Sequence, residues 1–242
     1  MMNIKTSLLF SLFFIFGLGT ACGQLRPKTE KPKHDAPKFE VEVSEAVTGK
    51  KAEQLLKEVE RRNEIRDKFT EKDRKCDSLI NDRKLKEAET VCKAALQLAE
   101  QLEPESKHER MSAYESVGHT MLGQKRYAEA LRYYSRAFDL GQSQYTEEDA
   151  SLGRLYSNLA FAHYMLGNLD KAREHFRKSE QIYHRAYTTY DASGDTAESN
   201  AMTKQSYLNS LKLMLKYHRM TAEETGATSE IEEIDKLMKN LP

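Results

Sequence analysis

The residues that could carry out covalent or metal chemistry are few and scattered along this sequence. Three cysteines stand at Cys22, Cys76 and Cys92, and seven histidines lie far apart. Thiols can form bridges, bind metals or act as nucleophiles, and imidazoles can transfer protons or bind metals. The chain has no Gly-rich phosphate loop, no Gly-x-Ser-x-Gly elbow and no His-Glu-x-x-His motif. We therefore expect a protein that is not an enzyme and has no cofactor and no metal site.

His163 is the histidine whose position admits two interpretations. It takes the place of an apolar residue in a helical core pattern, where a hydrogen-bonded histidine can be accommodated. As a metal ligand it would need a second ligand one turn away on the same face, and residue 167 is a glycine. We expect a core histidine.

The first 21 residues have the organisation of an export signal. Lys5 is followed by an apolar run from Leu8 to Leu18 and then by three small residues. That run is shorter than the roughly 18–20 apolar residues that a membrane-spanning helix needs. The stretch Gly-Thr-Ala-Cys resembles the lipobox of bacterial lipoproteins, which implies that Cys22 begins the mature chain and carries lipid such as palmitate. Simple cleavage after Ala21 and retention of the segment as an anchor remain the alternatives.

The balanced charge of the chain argues against partners that are attracted by a large net charge. Lys and Arg together number 38, as do Asp and Glu. Lys5 is the only charged residue before Cys22, so the remainder carries a net charge of −1. We therefore expect no nucleic-acid partner, and membrane attachment only through a lipid anchor. Residues 22–50 are polar with three interspersed prolines, which predicts an extended, flexible tether.

A pattern of small and large apolar residues recurs every 42 positions. Ala130 has counterparts at Ala88 and Ala172, and the residues around each alanine keep the same order. Within each unit the apolar residues follow helical spacing in two stretches separated by turn-forming residues, which predicts a helical hairpin. Small residues at a helix crossing let the two axes approach closely. The small residues predicted to pack in this way are Cys76, Ala88, Ala95, Gly118, Ala130, Ala137, Ala160, Ala172 and Ser179.

The pattern resembles the tetratricopeptide repeat over about residues 69–190. An aromatic residue, Gly118, a turn, Tyr127, Ala130, Tyr134 and Ala137 follow one another in the second unit as they do in that family. The resemblance implies an all-α, right-handed superhelical stack of about three hairpins. The usual period is about 34 residues. The additional eight residues correspond to about two helical turns, so we expect longer helices rather than an inserted loop.

The remaining helical segments are predicted to close the two ends of the stack. We expect one helical domain over residues 51–223, in which residues 51–69 are helical and about 196–223 form one long closing helix. Residues 224–242 are predicted to form a short helix and tail that folds back on it. The predicted inner faces of these two helices carry Leu208, Leu211, Leu215, His218, Ile231, Ile234, Leu237 and Leu241.

Three short motifs predict where helices begin. Ser106-x-x-Glu109 and Thr146-x-x-Asp149 have the form of capping boxes, and Ser229-x-x-Glu232 is predicted to open the last helix.

Two side-chain groups retain alternative interpretations at this level. Cys76 and Cys92 face each other across the first predicted hairpin, where they form either a disulfide worth roughly 2–4 kcal/mol or two buried thiols. Tyr183, Tyr187 and Tyr190 share a helix face, which forms either the seam with the closing helix or an exposed contact patch.

In tetratricopeptide repeat proteins the first helix of each hairpin lines a concave surface that binds peptides or partner helices. The resemblance transfers this role to Asp73, Asp77, Ile80, Glu115, His119, Leu122, Arg154, Asn158, Phe161 and Tyr164. Some members clamp a terminal carboxylate with Lys and Asn, but Asp73 and Asp77 stand at the corresponding sites and would repel one. A floor that changes from acidic to aromatic predicts a basic, amphipathic protein or peptide partner. The alternative is that these are ordinary solvated faces and that binding occurs elsewhere.

These observations predict an exported, lipid-anchored interaction scaffold or adaptor of the bacterial cell envelope, one that helps to assemble an envelope machine. A secreted or periplasmic location is the alternative to the membrane. A peptide-binding sensor or regulator is the alternative function, and an enzyme is a more distant one.

Overall fold

The computed structural model describes residues 49–102, 106–146, 149–190 and 197–242. Within these ranges the chain forms eight α-helices and no strand, which confirms the all-α prediction. The helices are α1 Lys50–Asn81, α2 Leu85–Gln101, α3 Lys107–Gly123, α4 Tyr127–Gln142, α5 Ala150–Met165, α6 Leu169–Thr189, α7 Ala197–Thr225 and α8 Thr228–Lys239. The predicted export signal, the lipidation site at Cys22 and almost all of the tether lie outside the described residues.

Three helical hairpins stack side by side in chain order. The hairpins are α1 with α2, α3 with α4, and α5 with α6, and each helix packs on the next one along the chain. Three-residue links join the helices within each hairpin, at 82–84, 124–126 and 166–168. α3 and α4 are 17 and 16 residues long, and with their three-residue link the hairpin spans 36 residues, which exceeds the usual repeat period of about 34. Because residues 143–149 separate this hairpin from α5, longer helices account for part of the additional length of the repeat.

The small residues of the repeat lie where neighbouring helices approach most closely. All nine predicted packing residues are buried. At Gly118, an added Cβ atom would lie 2.5 Å from Tyr134 Cε1, so only glycine leaves room for this ring. Ser179 Oγ donates a hydrogen bond to the carbonyl oxygen of Gly153 at 2.7 Å, which joins α6 to α5 directly. The position needs a slim side chain, and here that side chain also satisfies a backbone acceptor.

The helix starts differ from the predicted capping boxes. Ser106 does precede α3, but its hydroxyl donates to the carbonyl oxygen of Ala99 at 3.4 Å instead of capping the helix. The cap of α5 is Asp149, whose side chain accepts from the Ser151 amide at 2.7 Å, so Thr146 is not the cap. The last helix begins at Thr228, before Ser229. The Ser106 hydroxyl bonds α2, whereas the Asp149 carboxylate bonds an amide two residues along, so neither motif forms the predicted capping box.

Long helices close both ends of the stack. At the first end, residues 51–69 are continuous with the first repeat helix, and together they form the 32-residue α1. At the other end, α7 is 29 residues long and packs on α6, while α8 turns back along α7. Leu208, Leu211, Leu215 and His218 are buried on α7, and Ile234 is buried on α8. The buried face of α7 is therefore the one that the sequence predicts, whereas Ile231, Leu237 and Leu241 in the C-terminal segment are only half-buried. No helix in the described part of the chain combines the length and the apolar character required to cross a bilayer.

Candidate partner-binding surface

The ten predicted groove residues lie on α1, α3 and α5, the first helices of the three hairpins. We call this set the first-helix row: Asp73, Asp77, Ile80, Glu115, His119, Leu122, Arg154, Asn158, Phe161 and Tyr164. Three of its members are carboxylates and one is a guanidinium, so its formal charge with neutral histidine is negative. All ten are buried or half-buried, and none projects freely into solvent.

A polar network joins α3 to α5 in the middle of the first-helix row. Glu115 is only 3% exposed and forms an ion pair with Arg154. The Asn158 side-chain amide donates to Glu115 Oε1 at 2.7 Å. The other end of the same amide lies near His119, with Asn158 Oδ1 3.2 Å from His119 Nε2. These interactions orient all four side chains, and Arg154 neutralises the buried carboxylate of Glu115. Glu115 therefore does not add a net negative charge to the row.

The first unit keeps the acidic character that the sequence predicts. Ser116 Oγ donates to Asp77 Oδ1 at 3.4 Å and joins α1 to α3. Asp73 lies one turn earlier on α1 and is 8% exposed. Among the ten residues of the row, Arg154 is the only cation, and it is paired with Glu115. The negative charge of the row is therefore concentrated on the α1 side.

The aromatic end of the row contacts the closing helix. The Phe161 ring lies edge-on to Tyr217 of α7, with ring centroids 4.7 Å apart, and meets Phe176 at 5.1 Å. The Tyr164 hydroxyl donates to Glu224 Oε1 of α7 at 3.3 Å. The aromatic third of the row therefore packs in part against α7, although Phe161 and Tyr164 are still only half-buried. The acidic-to-aromatic floor stays a prediction.

The tyrosines near the end of α6 belong to the same seam. Tyr183 is buried, the Tyr190 ring meets Tyr207 of α7 edge-on at 5.7 Å, and Lys204 Nζ lies 5.4 Å from the centre of the Tyr187 ring. Of the two interpretations of this tyrosine face, the seam is the one the structure supports.

The Tyr134 ring is buried beside the row, in contacts that the repeat pattern does not specify. Tyr134 lies 5.4 Å from His119, edge to face, and its hydroxyl is buried without a hydrogen-bond partner. Burial, and secondarily the charge of Glu115, raises the pKa of Tyr134 well above its ordinary value, so the phenol stays neutral. Gly118 in the sequence indicates close packing at this point. It does not indicate which ring fills the space.

The first hairpin contains a disulfide between Cys76 and Cys92, with Cα atoms 5.0 Å apart. Both residues are fully buried. The Thr120 hydroxyl of α3 lies 3.5 Å from Cys92 Sγ, so the bridge also contacts the next hairpin. A covalent link between α1 and α2 fixes the α1 side of the first-helix row.

His163 occupies a core position, as the sequence predicts. Its ring stacks on His175 with centroids 5.5 Å apart, and its Nδ1 lies 3.4 Å from the Asn168 side-chain amide. Burial lowers the pKa of both histidines below the ordinary value, so both rings are neutral near pH 7. Within the described ranges, no three His, Cys, Asp or Glu side chains group together in a way that could hold a metal ion.

A comparison with protein families identifies the repeat. Residues 109–185, which cover α3 to α6 except for the last few residues of α6, match the family model described as tetratricopeptide repeat. This part of the chain is therefore similar to tetratricopeptide repeats. No curated protein matches the chain.

This chain is similar to solved structures that include a domain of Arabidopsis FLU and BtubC from P. vanneervenii. The tetratricopeptide repeat domain of Arabidopsis FLU has 22% identity and a TM-score of 0.45, and the match covers 50% of this chain and 98% of that one. BtubC from P. vanneervenii has 14% identity and a TM-score of 0.41, covering 69% of this chain and 76% of that one.

Tetratricopeptide repeats are typically non-catalytic modules that bind other proteins, and this fold is that of an interaction scaffold. In such repeats the first helix of each hairpin lines the concave side, and the first-helix row lies on the corresponding helices of this chain, α1, α3 and α5. The structure brings the polar members of the row together across α1, α3 and α5. Partner binding by these residues stays a prediction.

Proposed function

We propose that this protein is an exported, lipid-anchored scaffold or adaptor of the bacterial cell envelope that holds a basic, amphipathic segment of a partner protein. The single observation that carries the binding site is the asymmetry of the first-helix row. Phe161 and Tyr164 at its aromatic end contact Tyr217 and Glu224 of α7, whereas Asp77, Ile80, His119 and Leu122 lie half-buried on the first two hairpins. A partner would meet carboxylates and apolar side chains together on that side.

The proposed partner chemistry follows from the charges of this part of the row. Asp77 supplies a half-buried carboxylate on α1, the buried Asp73 adds negative charge one turn away, and Ile80 and Leu122 supply apolar surface beside them. Lysine or arginine side chains of a partner would be drawn to the carboxylates, and its apolar side chains would be buried against Ile80 and Leu122. Binding of this kind weakens as salt screens the charges.

The proposed location is supported by the sequence and by the disulfide. The Gly-Thr-Ala-Cys stretch supports lipidation of Cys22, and a tether between Cys22 and α1 would let the stack extend from the membrane. The Cys76–Cys92 bridge suits an oxidising compartment such as the periplasm. Assembly of an envelope machine is the role proposed for the complex.

Site-specific photo-crosslinking tests the binding surface. A photoreactive residue is placed at Leu122 in the row, and a matched one at the exposed Asp139 on α4. The proposal expects a stoichiometric protein adduct at Leu122, lost in Asp77→Lys, and no adduct at Asp139. Equal adducts at both positions would refute the row as the binding surface, and an adduct with a short peptide alone would favour the sensor function.

Envelope fractionation tests the anchor separately. Wild-type protein is expected in the membrane fraction, and Cys22→Ala is expected to leave it because the lipid attachment site is removed. Membrane association unchanged by this substitution would refute the lipid anchor without bearing on the row.

A further inference from the structure

His218 lies at the point where three helices meet near the C-terminal end of the stack. It projects from α7 and its side chain is only 4% exposed. Its Nδ1 lies 2.6 Å from Glu180 Oε2 of α6, and its Nε2 lies 2.9 Å from Glu230 Oε2 of α8. One imidazole therefore contacts a carboxylate on each of two other helices.

The two contacts fix the number of protons that the ring must carry. A carboxylate oxygen only accepts hydrogen bonds, so each ring nitrogen must donate if both contacts are hydrogen bonds. Only the imidazolium has two N–H groups, because neutral imidazole keeps a lone pair on one nitrogen. Loss of one proton would place that lone pair against a carboxylate in a buried setting, where such repulsion is poorly screened.

We infer that His218 is a proton-controlled clasp that holds α8 against α7 and α6, so that the C-terminal helix docks more firmly at mildly acidic than at mildly alkaline pH. Imidazole exchanges its proton within the range of about pH 5 to 8, which an envelope protein can experience. The clasp lies apart from the first-helix row and does not depend on the partner proposed for it.

The two carboxylates that contact His218 have two cations beside them only when the ring is protonated. From α6, Glu180 faces the ring, and Arg173 Nη1 donates to Glu230 Oε1 at 2.8 Å, while Arg173 Nη2 lies 3.5 Å from the exposed Asp170 of the same helix. From α8, Glu230 faces the ring. Deprotonation of the ring leaves Arg173, which also contacts Asp170, as the one cation of the described residues in contact with these carboxylates.

The neighbouring charges on α7 and α5 are engaged in other contacts. Arg219, the next residue on α7, donates to Asp235 of α8 at 2.7 Å and pairs with Glu223. Tyr164 of α5 donates its hydroxyl to Glu224, farther along α7. These groups are therefore committed elsewhere and do not take the place of the proton on His218.

The clasp is one of a small number of contacts that hold α8. The helix has 12 residues, and Ile234 is its one fully buried apolar side chain. Leu237 and the following Leu241 pack on the same core cluster but are only partly buried. Among the described elements, α7 is the helix that α8 packs on, with Arg219 paired to Asp235, and Arg173 and the clasp add its link to α6. Loss of one charge-assisted hydrogen bond therefore weakens the docking of α8 measurably.

Hydrogen exchange on the purified protein at pH 5.5 and pH 8.0 tests the clasp, with rates corrected for intrinsic exchange at each pH. Backbone amides of α8 are compared with those of α3, which serve as an internal reference. Wild-type α8 is expected to show protection about ten-fold higher at pH 5.5, as for the loss of a hydrogen bond to a charged group. Protection of α3 should be the same at both values.

Substitutions assign the effect to His218. His218→Gln, which has no titratable ring, is expected to lose the pH dependence of α8 protection, whereas His184→Gln on α6 should keep it. Glu180→Gln should reduce the dependence, and it serves as the second variant if His218→Gln does not fold. Equal α8 protection at the two pH values in wild type, or a full pH dependence in folded His218→Gln, would overturn the inference.

Discussion

Replacing Gly118 by alanine should destabilise this protein, although alanine is the better helix former. An alanine Cβ at residue 118 would lie 2.5 Å from Tyr134 Cε1 and 2.6 Å from Cδ1. Carbon atoms normally touch at about 3.5–4.0 Å, so both contacts are about 1 Å too short. Tyr134 is 1% exposed, and its ring has no space into which to move.

The magnitude follows from two opposing effects. Overpacking of a closed core typically costs about 1–3 kcal/mol, and two clashes with an immobile ring place this case near the upper end. The higher helix propensity of alanine stabilises the folded state by about 1 kcal/mol relative to glycine. The net loss is therefore about 2 kcal/mol, which corresponds to a decrease in Tm of about 4–8 °C for a chain of this length.

Thermal and urea unfolding followed by circular dichroism at 222 nm measure the effect. Gly123→Ala is the matched control on the same helix, because its nearest atom is Leu85 Cδ1, the mobile end of a half-buried side chain. That variant should remain within about 0.5 kcal/mol of wild type. Adding Tyr134→Leu to Gly118→Ala should cost less than the sum of the single changes, because the leucine removes the clashing ring atoms. A rise in Tm for Gly118→Ala would refute the packing argument.

Three further predictions concern the disulfide, the hairpin turns and acid stability. Double substitution of Cys76 and Cys92 by alanine should lower the free energy of unfolding by about 2–4 kcal/mol, and non-reducing peptide mapping of wild type should recover the linked pair; recovery of free thiols would contradict the bridge. Gly167→Ala should lower the free energy of unfolding in urea by about 1 kcal/mol, because φ is +74° and no atom lies near the new Cβ to clash with it. Lys125→Gly, at φ +63°, should raise the free energy of unfolding. Changes of the same sign in both variants would exclude backbone strain as the cause. Hydrogen bonds, first from Lys93, lower the pKa of Glu89 from 4.5 to about 2, so its contribution to stability is present above pH 4.5 and is lost as the pH falls towards 2. In Glu89→Gln the midpoint of urea unfolding should therefore depend less on pH between 4.5 and 2 than it does in wild type. An unchanged pH dependence would assign the acid sensitivity to other carboxylates.

The hairpins could be predicted from the sequence because their signal is local and repeated. Ala88, Ala130 and Ala172 stand 42 residues apart, and each lies fully buried at a helix crossing. A small side chain at a crossing is required whatever the neighbouring helices contribute. The inner face of α7, including His218, follows from helical periodicity in the same way.

The candidate site could be predicted only in part. The resemblance to tetratricopeptide repeats indicated the residues of the first-helix row. Contacts between distant residues determine which of their charges are paired. Glu115 and Arg154 are neighbours because α3 and α5 lie side by side, and neither residue has a local motif that predicts the pairing. The contact of Phe161 with Tyr217 depends on how α7 packs against α5 and α6, which the repeat does not specify. The capping box at Ser106 failed for the same reason, since the Ser106 hydroxyl bonds an acceptor on α2.

By itself, the sequence determined the helical hairpins, their period, the slim residues at their crossings and the apolar faces of the end helices, because periodicity and side-chain size act over one or two helical turns. Tertiary structure alone decided which charges neutralise one another, which part of the first-helix row stays accessible and how His218 comes to lie between Glu180 and Glu230. Those properties depend on distances between residues up to 60 positions apart in the chain, and helix packing brings such residues within hydrogen-bond range.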